Sequence, residues 1–107
     1  MDLHPAIQAY FEADRDRDRD ALTEAFAAGA TVVDEGRSYV GRDAIGAWWS
    51  DAKTRYQSLV EPLEARDFGG ATHVRAKVAG NFPASPATLT FAFRLEDDRI
   101  KALEIGG

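Results

Sequence analysis

The feature that most constrains this chain is a change of hydrophobic period near its middle. As far as Tyr56 the apolar residues mostly recur at helical spacing; from Leu59 onward they mostly alternate. Ile7, Tyr10, Phe11 and Asp14 fall at i, i+3, i+4 and i+7, one face of a first helix. Pro5 suits its first turn, where a missing N–H costs nothing. The alternating run Asp14-Arg15-Asp16-Arg17-Asp18-Arg19-Asp20 then reads as a solvated connector, its opposite charges placed at i+3. A second helix is predicted from Arg19 to Ala28. Asp18 would be its N-cap, Leu22, Ala25 and Phe26 its apolar stripe and Gly29 its stop. Ala30–Asp34 is a short β-branched strand and Glu35-Gly36-Arg37 a turn. The third helix, Gly41–Tyr56, carries Ile45, Trp48, Trp49, Ala52 and Tyr56 in one wide stripe.

Beyond it, Leu59–Ala65 is strand-like, with Pro62 confining it to an edge or a bulge. Gly69-Gly70 is a turn. From Thr72 to Gly80, Val74, Ala76 and Val78 face one way and His73, Arg75 and Lys77 the other. Asn81–Pro86 is a loop. Leu89, Phe91, Phe93 and Leu95 form the next apolar face, Asp97-Asp98 a tight turn, and Arg99–Ile105 the last strand. Helices followed by a strand meander predict an α+β fold. The apolar face shared by the long strands fits a single internal cavity under a curved sheet.

A length of 107 residues fits one domain spanning 1–107. The 13 Lys and Arg against 18 Asp and Glu leave a net charge of −5, which argues against a nucleic-acid partner. There is no cysteine, and His4 and His73 are the only histidines. Disulfides, Cys-ligated metals and Cys nucleophiles are therefore excluded, and no imidazole pair has metal-ligand spacing. The segment MDLHPAIQAYFEADRD holds no apolar run suited to a signal peptide or membrane helix, so no membrane association and a cytoplasmic location are expected.

The segments IQAYFEADRDRDRDALTEAFAAGATVVDEG, GRDAIGAWW, GNFPASP and LTFAFRLEDDRIKALEI, in that order, resemble the SnoaL-like branch of the nuclear transport factor 2-like superfamily. The resemblance spans nearly the whole chain. It implies a cone-shaped α+β barrel in which three N-terminal helices pack on a curved, mostly antiparallel sheet around a hydrophobic pocket, and a homodimer formed through the outer sheet face. The fold hosts isomerases, polyketide cyclases, epoxide hydrolases, dehydratases and non-catalytic transport factors, so function rests on the pocket residues.

Asp34 ends a strand whose same-face neighbours are Ala30 and Val32. It is either a general base at the mouth of an apolar cavity or the opening residue of the Asp34-Glu35-Gly36 turn. The pattern Ala30-Thr31-Val32-Val33-Asp34 is similar to the one preceding the catalytic aspartate of ketosteroid isomerase-like members. Tyr10 lies twenty-four positions earlier, where those members keep an oxyanion-stabilising tyrosine; it is either that donor or a core aromatic. The isomerases also use a protonated acid at the position matched here by Phe91, which cannot donate. Trp48 is expected to line the cavity and Trp49 to pack as core. Phe26, Tyr39, Tyr56, Val74, Val78, Leu89, Phe91 and Leu103 are also expected to face a ligand, and Asn81 either to present its amide to one or to cap a turn. His73, Glu61 and Glu104 are expected at the solvent or dimer face. The Asp-Arg-Asp letters of the connector imitate the epoxide hydrolase set but are placed outside the cavity.

Two functional expectations follow. One is a cofactor-free isomerase, cyclase or dehydratase acting on a small apolar carbonyl compound, with Asp34 as base. The other is a non-catalytic binding or dimeric assembly module whose cavity is filled by Trp48, Phe91 and Phe93. Neither requires a metal.

Overall fold

A computed structural model describes residues 1–107. Helix α1 spans Pro5–Asp16 and α2 Arg19–Glu24; strands β1 (Phe26–Asp34) and β2 (Arg37–Val40) form a hairpin; helix α3 covers Arg42–Tyr56. Strands β3 (Leu59–Phe68), β4 (Ala71–Ala79), β5 (Ala87–Glu96) and β6 (Arg99–Gly106) complete one six-stranded sheet in the order β2-β1-β6-β5-β4-β3. Neighbours pair antiparallel except β1 and β6, which run parallel. The α+β expectation holds: three helices pack on a curved, mostly antiparallel sheet. The sheet is not closed, because β2 and β3 remain edges; the helices cover the concave side that a closed barrel would have sealed with strands. No helix is long and apolar enough to cross a membrane.

Local chemistry explains most boundaries. The His4 Nδ1 accepts from the Ala6 N–H at 3.0 Å, capping α1 ahead of Pro5, and Arg17 closes the helix in a left-handed conformation. Thus α1 takes in the first three residues of the alternating charge run, Asp14, Arg15 and Asp16. Asp18 caps α2 through Ala21 N–H, as its residue type predicts. But α2 stops at Glu24, not Ala28. Phe26 instead begins β1: it pairs with Ile100, its carbonyl accepts from Arg42 at 3.0 and 2.8 Å, and the preceding Ala25 carbonyl accepts from Ile100 N–H at 2.9 Å. Long-range pairing thus overrides local helical spacing. Gly29 lies in the irregular stretch between Phe26 and Thr31, where the register with β6 shifts. It bends a strand and stops no helix. Arg37, expected in a turn, begins β2, because Glu35-Gly36 alone makes the two-residue connection with both φ values positive, the hairpin geometry matched to strand twist.

The predicted edge role of Pro62 is met twice over. β3 is an edge strand, and the register slips between Pro62 and Glu64, leaving Leu63 as the extra residue of a bulge. Gly69-Gly70 and Asp97-Asp98 are turns with positive φ at both positions. One cluster of buried residues joins the layers, with Ile7, Leu22, Phe26, Ile45, Val74, Phe93, Ile100 and Leu103 at most 1 % exposed. At the end of β4, Gly80 lets two backbones approach: a Cβ there would lie 2.6 Å from the Tyr56 carbonyl oxygen and 3.0 Å from Ser58 Cα. That approach seats the residues after α3 against the Asn81–Pro86 loop.

Candidate functional site: an aromatic cavity lined by carboxylates

The space between α1, α3 and the concave sheet is a cavity of about 350 Å³, within the size range of small-ligand sites. Its floor is Val60, Val78, Leu89, Phe91 and Ile105 from the sheet. Its helical wall is Tyr10, Asp14, Trp48, Trp49, Ala52, Lys53 and Tyr56, and Phe82 and Pro83 of the loop after β4 border it. Asp34 enters from the end of β1, Glu35 from the β1–β2 turn and Ser58 from the residue before β3.

Asp34 reaches the cavity because the two-residue period of β1 puts it on the face of buried Ala30 and Val32. Its Oδ2 accepts from Trp48 Nε1 at 3.0 Å, so the indole orients the carboxylate. Tyr39 packs against that indole, ring centroids 6.1 Å apart, and lies outside the lining. Tyr10 is 3 % exposed, its ring edge-on to Phe11, Phe26 and Phe93. Its hydroxyl takes part in none of the side-chain hydrogen bonds and is not a sealed orphan in the core, so it is presented to the cavity it lines. Burial pushes the Tyr10 phenol well above its ordinary value, with the Asp14 and Asp34 carboxylates adding to the rise. The group stays a neutral donor across the physiological range.

The raised value has a consequence for stability. Above the ordinary tyrosine value of about 10 the unfolded chain loses this proton while the folded chain keeps it, so stability falls as pH rises toward the raised value. Urea midpoints compared at about pH 9 and about pH 11 are expected to drop more for the native chain than for Tyr10→Phe. Equal drops would place the hydroxyl in water.

The polar heart of the wall lies where the charged connector was predicted. Asp14 is 5 % exposed. Its Oδ1 accepts from Trp49 Nε1 at 2.8 Å and its Oδ2 from Lys53 Nζ at 2.9 Å. Lys53 also donates to the Ser58 carbonyl at 2.9 Å and Ser58 Oγ at 3.2 Å. Asp14 is therefore no part of a solvated run, and Trp49 is both core and cavity wall. The helical face shared with Tyr10 was the available signal for Asp14. For Lys53 it was its place one turn beyond Trp49.

Among the residues singled out from sequence, Tyr10, Asp34, Trp48, Tyr56, Val78, Leu89 and Phe91 meet at this cavity. Phe26, Val74 and Leu103 are sealed in the core beneath it, at most 1 % exposed. Asn81 is exposed, held by its backbone N–H to the Tyr56 carbonyl at 2.7 Å. Phe91 stands 6.3 Å from the Tyr10 ring, so no acid accompanies the phenol there. His73 lies on the opposite sheet face, its ring stacked on Phe68 at 3.8 Å. No three His, Cys, Asp or Glu side chains gather as a metal cluster would.

Solved structures place this architecture. A candidate polyketide cyclase from Sinorhizobium meliloti superposes with a TM-score of 0.94 at 48% identity, over 98% of this chain and 96% of that one. A protein of ketosteroid isomerase-like fold from Catenulispora acidiphila, in complex with trimethylamine, gives 0.82 at 21% identity over 96% and 85%. A candidate ketosteroid isomerase from Kribbella flavida gives 0.82 at 9% identity over 95% and 74%. No curated protein matches the chain. The SnoaL-like domain model matches residues 7–103, and the chain belongs to that family.

Proposed function

We propose that this protein binds a small apolar carbonyl compound in the cavity and moves a proton on it. Asp34 is the general base and the Tyr10 hydroxyl the donor to the carbonyl oxygen. The observation that carries this reading is that an indole-oriented carboxylate and an unbonded, buried phenol line one apolar cavity. Asp34 takes a proton from the carbon beside the carbonyl. The C–H electron pair becomes the enolate double bond, and the oxygen gains the charge that the Tyr10 O–H meets. Return of the proton at another carbon gives isomerisation; attack of the enolate carbon on a second carbonyl gives cyclisation. The latter agrees with the candidate cyclase assignment of the 48%-identical neighbour. The cavity of about 350 Å³ speaks against the filled-core alternative. Incubation with cyclic ketones and diketones in deuterated water, followed by proton NMR, is expected to show saturable, protein-dependent loss of the protons beside the carbonyl. Exchange at the buffer rate for ligands that shift the Trp48 indole signal would instead make this a binding protein.

The homodimer belongs to the same proposal. The outer sheet face bears Thr88, Thr90, Ala92, Ala102 and Glu104, and beside them Phe68, 58 % exposed, stacked on His73. Light scattering at micromolar concentration is expected to give twice the chain mass, and Phe68→Lys to reduce it; a monomer throughout would remove the dimer.

A further inference from the structure

The cavity's polar groups are unevenly used. Every side-chain nitrogen donor in its wall is already engaged within the protein. Trp48 Nε1 is held by Asp34, Trp49 Nε1 by Asp14, and Lys53 Nζ by Asp14 and by both oxygens of Ser58. Lys53 therefore offers a ligand no free N–H, and its charge is matched by Asp14. Two carboxylates remain. Glu35, at the rim, feels the field of Arg55, whose guanidinium already lies 5.7 Å over the Tyr56 ring. Asp34 forms none of the ion pairs of the molecule. What faces a ligand is thus rich in acceptors, negative in balance and walled by aromatic rings, of which Trp48 stands directly beside Asp34. The unpartnered, buried Tyr10 hydroxyl supplies a neutral donor in the same space.

An anionic ligand meets no free cation here, and a neutral one leaves the Asp34 charge uncompensated. A cation fits both the carboxylate and the indole face, whose quadrupole attracts positive charge most strongly among the aromatic side chains. We infer that the substrate is a carbonyl compound bearing an alkylammonium group, seated with its nitrogen against Trp48 and Asp34 and its carbonyl toward Tyr10. This rests on the proton-transfer reading of the cavity and narrows it. It also answers the absence of an acid at Phe91. A positive nitrogen close to the carbonyl offsets the charge that develops on the enolate oxygen, so one hydroxyl suffices where a wall without a free cation would otherwise need two donors.

Three compounds of nearly one shape separate charge from fit: acetonyltrimethylammonium, methyl neopentyl ketone and 3,3-dimethylbutanoate carry positive, zero and negative charge. Binding to the full chain is read from tryptophan fluorescence and the Trp48 indole N–H resonance, neither of which depends on turnover. The cation is expected to bind at least about tenfold more tightly than the neutral ketone, and the anion most weakly. In Asp34→Asn, whose amide oxygen can still accept from Trp48, the preference for the cation is expected to fall below about threefold, with the neutral ketone bound no more weakly than by the native chain. Equal binding of cation and ketone, or a preference that survives Asp34→Asn, overturns the alkylammonium assignment and leaves the apolar-cavity reading standing. Failure of all three to bind overturns both.

Discussion

Replacing Lys53 by Met while Asp14 remains is expected to cost about 3–5 kcal/mol of folding stability. The side chains are 9% and 5% exposed, so removing the ammonium strands a carboxylate in a wall of indole and apolar groups. Trp49 Nε1 would be its one remaining donor, and the Ser58 carbonyl would lose its partner as well. The cost is one of uncompensated burial, not of a bond's intrinsic worth. Asp14→Asn combined with Lys53→Met should therefore recover most of it, because an amide oxygen still accepts from Trp49 and no charge is left unpaired. Urea denaturation of the two variants makes the comparison. A Lys53→Met loss below about 1 kcal/mol, the range of exposed pairs, would mean that water reaches this pair.

The Asp14–Lys53 pair also shows where sequence reading stops. Asp14 sits at the head of seven residues of alternating sign, and letter by letter nothing distinguishes it from Asp16, Asp18 or Asp20. Only its helical phase with Ile7, Tyr10 and Phe11 sets it apart. Its partner lies on another helix, and no local pattern pairs positions so distant. The start of β1 was hidden for a related reason. Phe26 has helical spacing from Leu22, and its strand conformation is imposed by β6, the last segment of the chain. Other features were local and therefore legible: the Asp18 cap, the bulge and edge at Pro62, the turns at Gly69-Gly70 and Asp97-Asp98, and the direction of Asp34 from the period of β1. Periodicity gives the face of a residue but not its depth. Phe26, Val74 and Leu103 point inward yet lie beneath the cavity, whereas Phe82 and Pro83, in an irregular loop, border it. That difference is set by how side chains fill space, which a single sequence does not display.

Asp34→Asn is expected to slow exchange of the protons beside the carbonyl by about 10²–10⁴-fold, the range for loss of a positioned general base. The substitution is conservative in shape. The amide oxygen can take the Trp48 hydrogen bond that now holds Oδ2 at 3.0 Å, so the cavity should persist while its base is gone. Tyr10→Phe is expected to cost about 10²–10³-fold, as for removal of one oxyanion donor, with the ring's packing against Phe11, Phe26 and Phe93 retained. Because base and donor act on one enolate, the two losses should not multiply: the double variant should be little slower than Asp34→Asn alone.

The rate of solvent-deuterium incorporation into a bound ketone, measured for the native chain and for Asp34→Asn under saturating ligand, tests the central claim most directly. The account predicts protein-dependent exchange that falls by at least about 100-fold in the variant while the ligand still shifts the Trp48 indole resonance. Exchange by Asp34→Asn at the native rate would contradict it, because the proton would then be moving through some group other than the carboxylate at the end of β1.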